Sequence, residues 1–259
     1  GPLATIYLRR GRPERALEVA EQACQGSEPS SSISRLRAYL LVLVGAPSAA
    51  REVERALAAE QPLFATPLYL LRGLLCALEG DAPRGVAMLH EAALKPELGP
   101  VARPLLDLWA AALGGSSRPA LAHAKREDAT GLIAKLLAGV RAEQAVLNDA
   151  ERIDRQTWAL VACFVGVLRE RRGETEAALA AYREVLAVRG LLWDHANWHS
   201  VVWATRRVAS ACQRSRCLCL FSASRKRGPT YLRNAKPFGT PLWSGGILIS
   251  SKSPNFSNI

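Results

Sequence analysis

The chain has 259 residues, 49% of them apolar and 22% charged, with a formal net charge of +11. This composition excludes wholesale disorder and a disulfide-dense miniprotein, leaving one large domain, two small ones or an elongated array. The charge is unevenly placed: residues 1–194 hold 24 basic and 23 acidic side chains, whereas residues 195–259 hold 10 basic and no acidic ones. The body is close to neutral, so any polyanion-binding role attaches to the last quarter alone.

The first residue is Gly1 and the only methionine is Met88, so the chain reads as a fragment or a processed product. Its first ten residues lack the apolar core of a signal peptide. The longest uncharged apolar run, Thr157 to Leu168, spans 12 residues. That is far short of the ~20 a membrane helix needs, so no membrane span is expected. Cys24, Cys76 and Cys163 stand singly in apolar helical contexts, as buried free thiols do. With no secretory signal, a reducing, cytoplasmic location is expected.

Along the chain, Gly11, Gly45, Gly80 and Gly115 recur at intervals of 34, 35 and 35. The stretches Leu3–Arg10, Ile33–Val44, Pro67–Glu79 and Val101–Gly114 precede them. Pro13–Cys24, Ser48–Ala59, Ala82–Leu94 and Arg118–Glu127 follow. Apolar residues recur at three and four within these stretches, as at Val86, Leu89 and Ala93, which is helical spacing. Each glycine thus sits between two helices, where a tight or left-handed turn is required. Pro62 and Pro96 close two units. A fifth unit is the clearest: Trp158 to Arg172, a turn at Gly173, then Glu174 to Val188. The interval from Gly115 to Gly173 is 58, too short for two full units. Residues 128–154 are therefore expected to be irregular, with a helix over Leu132 to Asn148 that could break at Gly139.

Small residues stand where paired helices would touch: Ala4, Ala16 and Ala20; Gly73 and Gly85; Gly166 and Ala178 beside Tyr182. With the 34-residue interval, these positions resemble the tetratricopeptide repeat, a helix–turn–helix unit. The resemblance covers about Leu3 to Leu186 and fits loosely in the second and fourth units. It implies an all-α fold, an α-solenoid of antiparallel helix-turn-helix repeats over residues 1–190. A C-terminal helix over 191–213 follows, then a basic, Ser-rich, disordered or irregular tail over 214–259.

Such solenoids present a concave face lined by the first helix of each pair, and that face commonly holds a peptide or helix of another protein. The matching inward positions are Arg35 and Tyr39, Leu70 and Leu74, Leu105 and Trp109, then Cys163 and Val167. Only Arg35 carries a positive charge, so a clamp for a terminal carboxylate is rejected. An apolar groove with Tyr39 and Trp109 suits an amphipathic helix or hydrophobic peptide. The competing reading buries these side chains against neighbouring repeats. The resemblance implies a non-catalytic interaction scaffold with a protein or peptide partner. Ala-rich, Arg-over-Lys usage also resembles solenoid regions of large bacterial signalling proteins that carry a kinase or ATPase module. Neither module is in the chain, so a regulatory solenoid fragment of such a protein is the alternative.

No phosphate-binding loop or dinucleotide fingerprint is present. His90-Glu91 opens like a zinc-protease helix, but Leu94 stands where the second imidazole belongs. His195 and His199 share a helix face and lack further ligands. The CQRSRCLC run (Cys212, Cys217, Cys219) lacks zinc-module spacing. No enzyme, metal or cofactor is expected. In the tail, Arg225-Lys226-Arg227 lies among Phe221, Tyr231, Phe238 and Trp243. Three readings stand there: a segment outside the native frame, a solvated tail, or a nucleic-acid or membrane contact. Nucleic-acid binding ranks last among the functional readings.

Overall fold

The computed structural model describes residues 2–10, 12–25, 29–98, 102–188 and 198–225, and the side chains of the last helix through residue 213. The chain divides into two units, Gly1–Arg216 and Cys217–Ile259, and the first holds nearly everything described. Among the described residues there are thirteen α-helices and no strand, so the protein is all-α. The helices are α1 (Pro2–Arg9), α2 (Pro13–Ala23), α3 (Ser31–Val44), α4 (Ala49–Ala59), α5 (Thr66–Leu78), α6 (Ala82–Ala93) and α7 (Ala102–Ala112). They continue as α8 (Ser117–Leu121), α9 (Ala129–Leu137), α10 (Glu143–Ile153), α11 (Arg155–Arg171), α12 (Thr175–Ala187) and α13 (Trp198–Arg225). Short 3-10 turns at Pro62–Phe64 and Pro96–Leu98 follow α4 and α6, where the two prolines end the second and third units.

From α1 to α12 every helix packs on the next one in sequence. Alternate helices also meet: α3 with α5, α5 with α7, α7 with α9 and α9 with α11. Contacts between successive short helices, joined by tight turns, are what a 34-residue hairpin period produces.

The turns sit where the glycines do. Gly45, Gly80, Gly114, Gly139 and Gly173 all have positive φ, between 68° and 113°. An L side chain adopts that region only under strain. In the fourth unit the left-handed residue is Gly114. Its neighbour Gly115 is packed instead: a Cβ there would lie 2.8 Å from the Ala110 carbonyl and 2.9 Å from Val86. The expected turn at Gly11 lies outside the described residues.

The helix read over Leu132–Asn148 is present as two helices, α9 and α10, separated at Gly139, and residues 128–154 are otherwise helical rather than irregular. Asp128 caps α9, its Oδ1 accepting from the Gly131 amide at 3.1 Å. Gly139 ends that helix, and α10 runs on to Ile153. The interval from Gly139 to Gly173 is again 34, so the register resumes one unit earlier than the sequence reading allows. The deficit lies in α8 and α9. The helix expected over Arg118–Glu127 stops at Leu121, and the chain tightens into successive turns as His123 swings back to bond Asp107 at 3.1 Å.

α13 reaches Arg225, past Arg214 where helical periodicity was expected to end. No Gly or Pro occurs between Trp198 and Arg225, and the first breakers are Gly228 and Pro229. The remaining tail features, Lys226, Arg227, Tyr231, Phe238 and Trp243, lie outside the described residues.

Close helix approach rests on the small residues. A Cβ on Gly85 would sit 2.5 Å from the Gly73 carbonyl oxygen, and one on Gly73 would sit 2.6 Å from Leu89 Cγ. Thus α5 and α6 approach so closely that neither position has room for a methyl group. In the last hairpin, a Cβ on Gly166 would lie 2.5 Å from the ring of Tyr182. That ring is buried and hydrogen-bonded at its hydroxyl, so it cannot swing away cheaply. Gly166→Ala is expected to cost about 1–3 kcal/mol in urea unfolding, as overpacking does. Added to Tyr182→Leu, which removes the ring, the same substitution should cost clearly less than alone. Equal cost in both backgrounds would contradict this account of the α11–α12 contact.

A candidate helix-binding face

The inward positions read from the sequence lie on α3, α5, α7 and, for the buried Cys163 and Val167, α11. Tyr39, Leu70, Leu74 and Trp109 are buried to between 0% and 4% exposure, and Leu105 is half-buried against the same cluster. Arg35 does not face an open groove. Its guanidinium bonds Glu60 at 3.0 Å, where the carboxylate is 1% exposed, and reaches the Phe64 carbonyl at 3.5 Å. The one cation of the proposed face is thus committed to the end of α4. The face is also not empty, because α13 covers it.

Seven consecutive residues of α13, Trp198 to Ala204, are each 7% exposed or less. A helix lying on a surface buries one stripe, so burial on every side means enclosure. The first two turns of α13 are therefore enclosed by other elements. Trp198 and Val202 join the apolar cluster of α1 to α5, while Val201, Trp203 and Ala204 join that of α5 to α12. One helix thereby ties the two clusters together.

The contacts are specific. Trp198 meets Tyr39 edge-on at 4.7 Å between ring centres. Tyr39 Oη and His199 Nε2 are 2.8 Å apart, a buried hydrogen bond between α3 and α13. Trp203 packs against Trp109 at 5.8 Å, and Trp109 against Phe164 of α11 at 4.6 Å. The Trp203 indole N–H donates to Tyr182 Oη at 3.0 Å, and Tyr182 in turn donates to Glu170 at 2.9 Å. Arg207 pairs with the same Glu170 at 3.1 Å and stacks over Trp203 at 4.5 Å. At Gly45, any side chain would collide with the guanidinium of Arg206.

Burial controls the chemistry of these groups. The Tyr39 phenol is pushed up by desolvation, with Arg35 opposing weakly. Tyr182 is pushed up by desolvation and then by its negative neighbours. The Cys163 thiol, donating to the Ser200 carbonyl at 3.6 Å, is pushed up by burial to about 12. Each of these groups stays protonated when folded. Their contribution to stability is full below the unfolded values of roughly 8.5 for Cys and 10 for Tyr. It falls as pH rises above those values, since only the unfolded chain then releases the proton.

Two features escaped the sequence reading. Asp107, 3% exposed, faces out of α7 toward His123 and binds it at 3.1 Å, fixing the turn after α8. Arg171 donates to the carbonyls of Ala111 and Ala112 at 3.1 and 3.2 Å, closing the C-terminus of α7 from α11. Both depend on side chains 16 and 60 residues apart, which no local pattern announces. His195, read from the sequence as sharing a helix face with His199 without further ligands, lies outside the described residues. Among the described residues no three His, Cys, Asp or Glu side chains gather as metal ligands. None of the described helices is long and apolar enough to cross a membrane. No family model, curated protein or solved structure matches the chain.

In a chain whose other cysteines are replaced by serine, Cys163 should resist an aromatic disulfide reagent at pH 8 and react fully once urea unfolds it. Prompt reaction of the folded chain would contradict the enclosure of Cys163 beneath α13.

Proposed function

We propose that the chain is a non-catalytic interaction scaffold: a tetratricopeptide-like α-solenoid whose concave groove binds an amphipathic helix of another protein. One observation carries this reading. The face of α3, α7 and α11 already accommodates a helix, with aromatic seats for two tryptophans and a carboxylate for an arginine. Such seating of a helix by side-chain anchors supports a helix-in-groove mode of recognition. The face of the array is apolar and its own charges are paired internally, as in Arg35–Glu60, Arg37–Glu52 and Glu143–Arg169. Shape and apolar contact, rather than net charge, therefore select the partner.

The half-buried Leu105 offers the clearest test. Leu105→Glu places a charge on the face, whereas Glu184→Lys alters an exposed position of α12. The expected outcome is that a partner copurifying with the native chain is lost with Leu105→Glu and kept with Glu184→Lys, both variants retaining helical circular dichroism. A partner set unchanged by Leu105→Glu would refute the groove as the binding surface.

A further inference from the structure

The seat of α13 is filled imperfectly. Beside Trp198 an apolar cavity of about 20 Å³ is lined by Leu8, Leu40, Leu43 and Val201. It is roughly large enough for one water, but its apolar walls offer no hydrogen bonds, so its lining lacks packing partners there. The Trp109 indole N–H, fully buried at the centre of the face, has no acceptor among the described residues. The buried Ser200 hydroxyl on α13 has none either. Buried polar groups are almost always satisfied, and each exception costs stability. The cavity lies where α13 meets α1 and α3, Ser200 is on α13 itself, and Trp109 packs against Trp203 of α13. Two further buried nitrogens without a hydrogen bond, Arg37 Nε and Arg72 Nε, lie on α3 and α5.

An element built only to complete a core has no reason to collect such defects along its own seat. A ligand that must leave does. Its aromatic anchors hold it in place, and the gaps leave room for a better occupant. We propose that residues 198–213 are an intramolecular stand-in for the partner helix, and that the partner enters the groove by displacing them. This inference rests on the reading of the groove as a helix-binding face, and it adds how access is regulated. The partner it fits is a helix enclosed on all sides over its first two turns, with two large aromatic residues five positions apart, as Trp198 and Trp203 are, entering the two separate apolar clusters. It carries an arginine four positions beyond the second aromatic to meet Glu170. A side chain larger than Val201 or Val202 facing the cavity, or an acceptor facing Trp109 Nε1, would improve on α13.

Tethering makes the competition quantitative. A helix held by a short connection acts at an effective concentration of about a millimolar, which blocks a free peptide of similar intrinsic affinity. Loosening the tethered copy must then open the site to the free one. The probe is a fluorescent synthetic peptide of residues 198–213, titrated by anisotropy into the full chain and into the full chain carrying Trp203→Ala. The peptide is expected to bind the variant at least about 10-fold more tightly than the unaltered chain, because truncating an aromatic anchor costs the tethered helix that much or more. A peptide itself carrying Trp203→Ala should not bind either chain. If Trp203→Ala loses its helical circular dichroism, the decision passes to Arg207→Glu, which removes the Glu170 pair and should tighten peptide binding about 3-fold or more. Equal binding to altered and unaltered chains, or binding to none of them, overturns the proposal. Peptide exchange without a partner lost in Leu105→Glu would defeat only the scaffold reading. Loss of that partner without peptide exchange would defeat only the displacement step.

Discussion

The structure depends on the burial of Trp203 between α7 and α11. Its ring meets Trp109, and its N–H ends on the hydroxyl of Tyr182, which is itself held by Glu170. An enclosed tryptophan removes about 150–250 Å² from water. At about 25 cal/mol per Å² that is worth at most about 4–6 kcal/mol. The nearby Arg207–Glu170 pair is partly exposed and contributes about 1 kcal/mol or less. Aromatic burial therefore holds α13, and the ion pair sets its register. Trp198 repeats the arrangement on Tyr39 at the other end of the enclosed segment.

That seat exists only because the hairpins around it are thin. Gly73 against Gly85 and Gly166 against Tyr182 bring paired helices closer than any larger residue allows. Close pairing in α11–α12 is also what positions the Tyr182 hydroxyl under Trp203. The same residue thus fills the gap left by a glycine and accepts the hydrogen bond that orients α13. Packing inside the last hairpin and occupation of the face are consequently coupled through one side chain. Loss of Trp203 would leave the Tyr182 hydroxyl without its donor.

Much of the fold was legible because hairpins are local. Glycine at Gly45, Gly80 and Gly173, with apolar residues at helical spacing between them, located the turns and the helices on either side. The same logic slipped by one residue at Gly114, where two glycines adjoin and only three-dimensional packing decides which takes the left-handed turn. Over residues 128–154 it found the helix and its break at Gly139 but lost the repeat register, because shortening α8 and α9 by a few residues hides a unit from a strict period. The face was legible as a list of residues and not as a state. Tyr39 and Trp109 lie on α3 and α7, but what packs over them comes from more than ninety residues away, beyond any repeat. Arg35 was misjudged for the same reason: its partner Glu60 sits 25 residues on, at the end of the next helix. The formal charge of +11 proved uninformative about the body, several of whose arginines pair with carboxylates of neighbouring helices.

The central claim is that the enclosed part of α13 is held by the face of α3, α7 and α11. Hydrogen exchange of the amides of residues 201–213 tests it most directly, read in the unaltered chain and in Trp109→Ala. The account requires slow exchange in the unaltered chain, comparable to that of α11. In the variant, exchange of this segment should be faster by at least about 10-fold, while α5 and α6 stay protected. Rapid exchange in the unaltered chain, or protection of α13 that ignores the loss of Trp109, would contradict it.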